Sequence, residues 1–207
     1  MSTIVVDTFL TLDGVMQAPG GQEEDPESGF THGGWQGQFF DDETGEFVGK
    51  GIAKTEGLLL GRKTYDIFAG FWPHVPDDHP DAQIARKFDA IPKYVASRTL
   101  KSVEWQNSML LGDDVPGAVV KLKEQPGGEI HVIGSGDLAQ TLIRHGLVDE
   151  YRLIIYPLVL GTGKRLFADG VVPTGLELVE SHATPGGAVI CVYRPGGKLT
   201  YSSMADR

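Results

Sequence analysis

The sequence has little cysteine and little positive charge. Cys191 is the only cysteine among 207 residues, which excludes an internal disulfide and a cysteine-rich zinc site. There are 18 Lys and Arg residues against 28 Asp and Glu residues, and the net charge is −10. Such a chain has little general affinity for nucleic acid or for an anionic membrane surface. We therefore expect any anionic ligand to be held by a local group of basic residues.

Long apolar runs and targeting signals are also missing. No stretch of about 18 apolar residues is present, so no transmembrane helix is predicted. Residues 1–6 lack the basic segment of a secretory signal and lead directly into a strand-like pattern. We expect a cytoplasmic protein without nucleic acid or membrane partners.

Several familiar motifs are absent. The sequence contains neither a Walker A motif nor the Gly-x-Ser-x-Gly elbow of serine hydrolases. Gly134-Ser135-Gly136 lacks the third glycine of the Rossmann fingerprint, and no acidic residue about 20 positions further on suits a ribose hydroxyl. The six histidines are scattered, and those of residues 70–82 match no metal-ligand spacing. We predict no metal site, and the pattern singles out no catalytic residue.

What the sequence does contain is an alternation of strand-like and helix-like segments. Strands are predicted at 3–12, 57–61, 93–97, 109–111, 130–133 and 151–160, and a hairpin at 176–183 and 188–193. Helices are predicted at 39–54, from 62 onward, at 81–89, at 115–124, and from Gly136 to a stop at Gly146. Residues 14–38 and 70–82 are predicted to be loops, and the tail from 196 is expected to be loose. This order predicts one three-layer α/β domain over 1–207 with a mixed sheet.

The segment 129–146 is the clearest part of the pattern. An apolar run over 130–133 breaks at Gly134-Ser135-Gly136, and a helix follows, so the turn places free backbone N–H groups at a helix N-terminus. That arrangement suits a phosphate. A plain tight turn would explain the same glycines. The carboxylate of Asp137 would repel an anion, or would cap the helix instead.

The predicted strand ends carry further candidates. In open α/β sheets, ligands bind beyond the carboxyl ends of the strands. Those ends carry Asp13-Gly14, Arg62-Lys63-Thr64, Ser97-Arg98, Gly134-Ser135-Gly136 and residues 161–164. Three of these five segments are basic in a chain of net charge −10. Two separate anion sites favour a dinucleotide with an extra phosphate over a mononucleotide.

Five segments in this order resemble the dihydrofolate reductase-like superfamily. They are Phe9-Leu10-Thr11-Leu12-Asp13-Gly14, Gly61-Arg62-Lys63-Thr64-Tyr65, Ser97-Arg98, Val132-Ile133-Gly134-Ser135-Gly136 and Pro157-x-x-x-Gly161-x-Gly163-x-x-Leu166-Phe167. The last segment is more similar to the riboflavin-biosynthesis reductase branch (RibD C-terminal domain) than to true dihydrofolate reductases. The resemblance spans residues 3–194. It implies a three-layer α/β/α fold with a mixed, mostly parallel sheet and a C-terminal β-hairpin.

The resemblance also implies NADPH as the cofactor. The corresponding cofactor-binding positions are Asp13, Gly14, Val15, Met16, Gly61, Arg62, Lys63, Thr64, Ser97, Arg98, Ile133, Gly134, Ser135, Gly136, Asp137 and Leu138. By resemblance, residues 13–16 lie beside the nicotinamide and 62–64 contact cofactor phosphates. Residues 97–98 hold the adenosine 2′-phosphate, and 133–138 receive the pyrophosphate. Arginine suits a terminal phosphate because its hydrogen bonds to it are charge-assisted.

The implied substrate is 5-amino-6-(5-phosphoribosylamino)uracil, which would accept hydride from NADPH. Trp35 is expected to form a pocket wall, and Lys164 is expected to reach the substrate together with Arg165. The acidic residues of 41–46 are expected to complement the helix dipole. Residues 14–38 are expected to close as a lid, and two copies to form a homodimer. The alternatives are reduction of another heterocycle, a non-catalytic NADPH-binding module, and a structural domain without a ligand.

Overall fold

The computed structural model of the chain describes residues 1–206. Within this range, eight strands form one sheet, and five α-helices lie on its two faces. The strands are β1 (Thr3–Thr11), β2 (Thr55–Gly61), β3 (Lys93–Ala96), β4 (Ser108–Leu110), β5 (Glu129–Ile133), β6 (Glu150–Tyr156), β7 (Gly175–Ala183) and β8 (Val189–Gly197). The α-helices are α1 (Asp42–Lys54), α2 (Arg62–Phe71), α3 (Ala82–Ala90), α4 (Val115–Glu124) and α5 (Gly136–Arg144). Short 3-10 turns occupy Glu27–Gly29, Trp72–His74 and Met204–Asp206.

The strand order across the sheet is β4-β3-β2-β5-β1-β6-β8-β7. The pairs from β4 to β6 are parallel, whereas β8 is antiparallel to both β6 and β7. The predicted mixed, mostly parallel sheet with a C-terminal hairpin is therefore confirmed. Because six adjacent strands are parallel, their carboxyl ends meet at one edge of the sheet.

Apolar residues on both sides of the central strands explain the three layers. Leu58 and Leu60 of β2 pack with Tyr65 of α2 and Phe88 of α3, and α1 lies on this face too. Leu59 points to the opposite face and joins the core beneath α4 and α5. Alternate residues of one continuous apolar strand thus bury both faces, as expected for a parallel sheet covered on each side.

Local capping fixes several helix ends. Helix α1 begins at Asp42, three residues after the predicted start, because the side chain of Asp41 accepts a hydrogen bond of 2.8 Å from the backbone N–H of Thr44. Helix α4 has the predicted bounds, since Asp114 caps it in the same way through Gly117 N–H at 3.0 Å. Both are ordinary N-cap contacts of an Asp side chain.

Three predicted boundaries were wrong. Strand β6 ends at Tyr156, and the apolar residues 157–160 continue as a loop whose Leu158 and Leu160 pack on the core. Strand β8 continues to Gly197 because it pairs with the start of β7, so the tail leaves the sheet later than expected. Residues 70–74 are helix and 3-10 turn, because Trp72 packs on Phe88 with ring centroids 5.1 Å apart.

The α-helices within residues 1–206 are 13 residues long or shorter. None of them combines the length and the apolar character that a membrane-spanning helix needs.

Candidate functional site

The predicted cofactor-binding segments lie side by side at the carboxyl edge of the sheet. Strands β3, β2, β5, β1 and β6 are consecutive neighbours and all parallel. Their ends therefore present residues 97–98, 61–64, 133–138, 13–16 and 157–164 in that order along the edge. Segments far apart in the sequence form one continuous surface.

The turn after β5 has an unusual backbone. Gly134 has φ +60°, and Ser135 is also left-handed, with φ 53° and ψ 48°. The chain thereby enters α5 sharply, and the first N–H to bond back into the helix is that of Ala139, 2.9 Å from the carbonyl of Ser135. The N–H groups before it have no partner within the helix. They form the kind of N-terminus that binds anions.

Asp137 does not cap this helix. The N-cap residue is Ser135, whose side chain makes no cap hydrogen bond, and Asp137 is exposed in the first turn. The capping role considered for Asp137 was therefore wrong, because the left-handed turn places Ser135 at that position. The carboxylate still stabilises α5 through the helix dipole.

Ser135 and Thr64 fasten the turn to α2. The hydroxyl of Ser135 accepts a 3.0 Å hydrogen bond from Gly61 N–H and donates to the carbonyl of Ile133 at 3.1 Å. The N–H of Ser135 donates in turn to the hydroxyl of Thr64 at 3.1 Å. The Thr64 oxygen thus shapes the turn, while its own proton stays available to an anion. A β-carbon on Gly136 would lie 3.2 Å from the sulfur of Met16, so the turn also closely approaches the 13–16 segment.

Two arginines lie at the β3–β2 end of the edge. The Arg62 side chain is half exposed, and its Nη1 donates to the hydroxyl of Thr99 at 2.8 Å. This contact places the guanidinium of Arg62 beside the loop that contains Arg98. The Arg98 residue is exposed. Ser97 shapes the same loop, because its hydroxyl accepts hydrogen bonds from Thr99 and Leu100 N–H at 3.2 and 3.0 Å. This corner is positively charged and open to solvent.

Two predicted lysines are engaged by carboxylates of the 14–38 loop. Lys63 Nζ lies 2.6 Å from Asp25 Oδ1 and 2.7 Å from Glu27 Oε2, and Lys164 Nζ lies 2.7 and 2.5 Å from the same two side chains. Burial alone would raise the pKa of Asp25, but hydrogen bonds from Lys164 and Lys63 outweigh it and leave the pKa below its ordinary value. Hydrogen bonds from Lys164 and then Lys63 lower the pKa of Glu27. The lowered pKa values keep both carboxylates charged near neutral pH, and hydrogen bonds to Asp25 and Glu27, which outweigh burial, raise the pKa of Lys63.

Asp13 joins the end of β1 to the loop after β6. Its carboxylate accepts hydrogen bonds from the Thr11 hydroxyl at 2.6 Å and from Gly161 and Leu160 N–H at 2.8 and 3.2 Å. The Thr11 contact is the largest cause that lowers the pKa of Asp13 to about 2, followed among the lowering causes by the two backbone contacts. Arg165 Nε donates to the Asp13 carbonyl at 2.9 Å. Asp13 thus holds together the two segments that are expected beside the nicotinamide. Both of its carboxylate oxygens accept hydrogen bonds from these segments.

Trp35 does not line an open pocket. It is buried, its Nε1 donates to the carbonyl of Gln17 at 2.8 Å, and its ring meets Tyr156 edge-on with centroids 5.7 Å apart. Residues 14–38 are irregular, as predicted, but Val15 and Phe30 are also buried in the same small core. Trp35 becomes a pocket wall only if this loop moves, since the indole now fills its interior.

The acidic residues at the start of α1 lie near the carboxyl end of β6, where Phe39 contacts Tyr156 with ring centroids 6.3 Å apart. Asp41 caps the helix and accepts a 2.6 Å hydrogen bond from Gly186 N–H, while Glu46 pairs with Lys50 at 2.8 Å. Asp42 and Glu43 are exposed. Asp41 caps α1, and Asp42 and Glu43 lie in its first turn, where acidic side chains complement the helix dipole.

A buried charged cluster beneath α1 was not predicted from the sequence. His131 is 1% exposed, with Nδ1 2.6 Å from Asp7 Oδ2 and Nε2 2.9 Å from Glu129 Oε2. Arg152 Nη2 lies 2.9 Å from Glu129 Oε1 and pairs in register opposite Asp7. Charged residues at facing positions of three apolar strands were the available signal. The cluster joins β1, β5 and β6 within the sheet rather than at its edge.

A cavity of about 170 Å³ lies at the other end of the strands. It is lined by Ser2, Glu56, Tyr94, Gln125 and Gly128, among others. Cofactor-sized ligands occupy pockets of roughly 300 Å³ or more. The cavity is thus too small for a dinucleotide and lies away from the edge described above. Within residues 1–206, no group of three or more His, Cys, Asp and Glu side chains is arranged to hold a metal ion.

Comparison with known proteins gives matches over nearly the whole chain. The sequence profile of the RibD C-terminal domain matches residues 2–190. Uncharacterized protein YyaP of Bacillus subtilis (strain 168) is 32% identical over 198 residues, covering 94% of this chain and 95% of the relative. Uncharacterized protein YwjB of the same strain is 23% identical over 140 residues, covering 64% of this chain and 74% of the relative.

Two solved structures share the fold. A candidate riboflavin biosynthesis protein from Shewanella sp. PV-4 has a TM-score of 0.66 at 20% identity and covers 93% of this chain and 98% of its own. A pyrimidine reductase-like protein from Corynebacterium diphtheriae has a TM-score of 0.61 at 12% identity, covering 93% and 91%. At these identities the likeness establishes the architecture and not the substrate.

Proposed function

Because the chain belongs to the RibD C-terminal domain family, we propose that it is a reductase that transfers hydride from NADPH to a small heterocycle. The supporting observation is the order of features along the carboxyl edge of the sheet. The Arg62 and Arg98 corner comes first, the Gly134–Gly136 turn next, and the 13–16 segment last. An extended dinucleotide presents its 2′-phosphate, pyrophosphate and nicotinamide in the same order.

The spacing of the sheet suits such a ligand. Strands β3 and β1 are three strand intervals apart, which corresponds to about 15 Å at the usual interstrand distance. The residues present also fit the chemistry of each part. The guanidinium groups suit a terminal phosphate, and the free N–H groups at the start of α5 suit the pyrophosphate. No acidic ribose reader follows the turn, which favours NADPH over NADH.

When bound, NADPH supplies the hydride, so the task of the protein is to orient the reactants. Asp13 holds the loop after β6 against the 13–16 segment and thereby positions the backbone beside the nicotinamide. Ser135 and Thr64 hold the pyrophosphate turn in its left-handed conformation. The 14–38 loop packs on the carboxyl end of β6, next to the 13–16 segment. In the proposed complex it would keep water away from the nicotinamide.

Replacement of Arg98 by Ala tests the cofactor assignment. We expect NADPH affinity to fall about 10- to 100-fold, since a hydrogen bond to a charged group contributes roughly 1.5–3 kcal/mol, while NADH affinity changes little. Quenching of protein fluorescence measures both dissociation constants. Lys101→Ala is the matched control, because Lys101 is an exposed cation three residues further along. Equal losses for NADPH and NADH would contradict the role of Arg98, and no NADPH binding by the unaltered protein would contradict the proposal itself.

Turnover separates an enzyme from a non-catalytic NADPH-binding module. The decrease in reduced-nicotinamide absorbance is followed with a panel of heterocycles, beginning with 5-amino-6-(5-phosphoribosylamino)uracil, the substrate that the sequence resemblance implies. NADPH binding without turnover of any compound would favour the module. For Trp35 and Lys164 to touch the substrate, the 14–38 loop must release the contacts described above.

We also propose that two copies pair through β7. This strand forms the edge of the sheet, and Leu178 and Val179 on it are 56% and 49% exposed. An open edge strand with exposed apolar side chains is a ready template for pairing with another chain. Sedimentation equilibrium gives the mass in solution, and Leu178→Glu is expected to convert a dimer to a monomer. A monomeric unaltered protein would rule the pairing out.

A further inference from the structure

Three basic side chains surround the expected substrate end of the edge. Lys63 begins α2, and Lys164 and Arg165 follow β6 beside the 13–16 segment. A phosphorylated substrate would need such groups, because proteins hold terminal phosphates through charge-assisted hydrogen bonds. Their availability therefore bears on the class of substrate.

Each of the three cations already has a carboxylate partner within the chain. Lys63 and Lys164 both contact Asp25 and Glu27 at 2.5–2.7 Å. Arg165 Nη2 lies 3.5 Å from Asp13 Oδ2, and its Nε donates to the carbonyl of Asp13. Three cations and three carboxylates give a net charge of zero. A phosphate placed here would meet carboxylates as well as ammonium groups.

A buried amide holds the two loop carboxylates in place. Gln17 is 4% exposed, and its Nε2 donates to the carbonyls of Asp25 and Glu27 at 3.0 and 3.1 Å. Its Oε1 accepts from the N–H of Lys164 at 3.0 Å. The Asp25 side chain is only 10% exposed. Isolated surface ion pairs are weak and yield readily to a competing anion, but this arrangement is partly buried and fixed by neighbouring hydrogen bonds.

The cofactor end of the same edge is different. The nearest partner of Arg62 is the neutral hydroxyl of Thr99, with Asp66 at the longer distance of 3.4 Å. Arg98 is exposed. Arg98 is thus exposed to an anion at one end, whereas Lys63 and Lys164 at the other end share two carboxylates at 2.5–2.7 Å.

We infer that Asp25 and Glu27 determine specificity by neutralising Lys63 and Lys164, so that the site accepts a heterocycle without a phosphate group and rejects its phosphorylated counterpart. This inference rests on the proposed reductase function and deepens it by naming the substrate class. Asp25 and Glu27 act through the lysines and are not catalytic residues.

The test uses ribose 5-phosphate as the phosphate probe and ribose as its uncharged counterpart, with binding measured by calorimetry. We expect the unaltered protein to show no preference for the phosphorylated sugar. The Asp25→Asn/Glu27→Gln variant is expected to bind ribose 5-phosphate at least 10-fold more tightly. Glu23→Gln/Asp42→Asn is the matched control, because it removes the same charge at two exposed positions and is expected to behave like the unaltered protein. Glu27→Gln alone, at an exposed side chain, is expected to give a smaller gain and serves if the double variant does not fold.

Three results would overturn the inference. The first is tight binding of ribose 5-phosphate by the unaltered protein. The second is no gain in either variant. The third is a gain that saturating NADP⁺ abolishes, because the probe would then occupy the phosphate site of the cofactor. NADPH binding is measured separately on the same samples. Its absence would refute the reductase proposal, and the comparison of variants with the phosphate probe would still be informative.

Discussion

Lys93, the first residue of β3, offers a quantitative test of the packing between β3 and α3. Its side chain is 0% exposed, and Nζ donates to the carbonyls of Phe88 and Asp89 at the end of α3, at 2.7 and 3.1 Å. The ammonium also lies 4.3 Å from the centre of the Trp105 ring. Burial lowers the pKa of Lys93 to about 8, against the opposing effect of Asp89. Replacement by Met keeps the volume and removes the charge.

The lowered pKa of Lys93 determines how the stability difference between the unaltered protein and Lys93→Met changes with pH. The folded pKa of about 8 lies below the ordinary value of 10.5, so between these values the unfolded chain holds a proton that the folded protein has released. The stability of the unaltered protein therefore rises with pH across that window, relative to Lys93→Met. At 1.36 kcal/mol per unit, the increase by pH 9.5 is about 2 kcal/mol. At pH 7 the lysine is protonated in both the folded and the unfolded state, so the difference measured at that pH is the reference from which the increase is counted.

Urea unfolding of both proteins at pH 7, 8.5 and 9.5 measures the difference. Burial raises the pKa of Tyr151 to about 12. The ionisation of such tyrosines affects the stability of both proteins equally, so it cancels in the difference. Lys101→Met, which removes an exposed lysine from the loop after β3, is the matched control. A free-energy difference between the unaltered protein and Lys93→Met that stays constant from pH 7 to 9.5 would refute the assignment of a lowered pKa to Lys93.

Three further replacements concern the edge itself. Thr64→Val removes the acceptor of the Ser135 N–H and is expected to weaken NADPH binding about 3- to 10-fold in a fluorescence titration; unchanged affinity would mean that the turn keeps its shape without it. Gly163→Ala places a β-carbon 2.6 Å from Val15 Cγ1 at φ +121° and is expected to cost about 1–3 kcal/mol in urea unfolding. Gly161→Ala, with no atom within 4 Å, is expected to cost less, and equal costs would argue against the clash. Asp13→Asn is expected to lower the stability at pH 7 by on the order of 1 kcal/mol after allowance for solvent. Because the folded pKa of Asp13 is lowered from 3.8 to about 2, that difference should shrink as the pH falls through this range, and a loss that persists below pH 2 would contradict it.

Local interactions explain what the sequence predicted well. Helix α4 is specified by Asp114 before it and by Gly127 and Gly128 shortly after it, all within a few residues. The turn over 134–136 is also local, since glycine and the Ser135 backbone set its shape. The sheet order follows from parallel strands joined by helices, which leaves few topologies. Fold and strand-end positions were therefore accessible from the sequence.

The ion pairing of the predicted basic residues could not be predicted from the sequence, because it depends on residues far away along the chain. Asp25 is 38 positions from Lys63 and 139 from Lys164, so no local pattern pairs them. The sequence predicted a long loop over residues 14–38, but not which cations its carboxylates contact. The burial of Trp35 was not accessible for the same reason, since its ring packs on Tyr156, which lies on another element.

The charge around the Gly134–Gly136 turn bears on how the proposed NADPH complex would respond to salt. A helix N-terminus carries the equivalent of roughly half a positive charge, whereas Asp137 adds a full negative charge in the first turn of α5. The turn alone therefore does not neutralise a pyrophosphate, and Lys63 is occupied by Asp25 and Glu27. If NADPH binds as proposed, Arg62 and Arg98 supply the compensating charge; both are exposed and hence subject to screening by salt. A protein of net charge −10 that relies on two exposed arginines should bind NADPH more weakly as ionic strength rises, and Arg98→Ala should flatten that dependence.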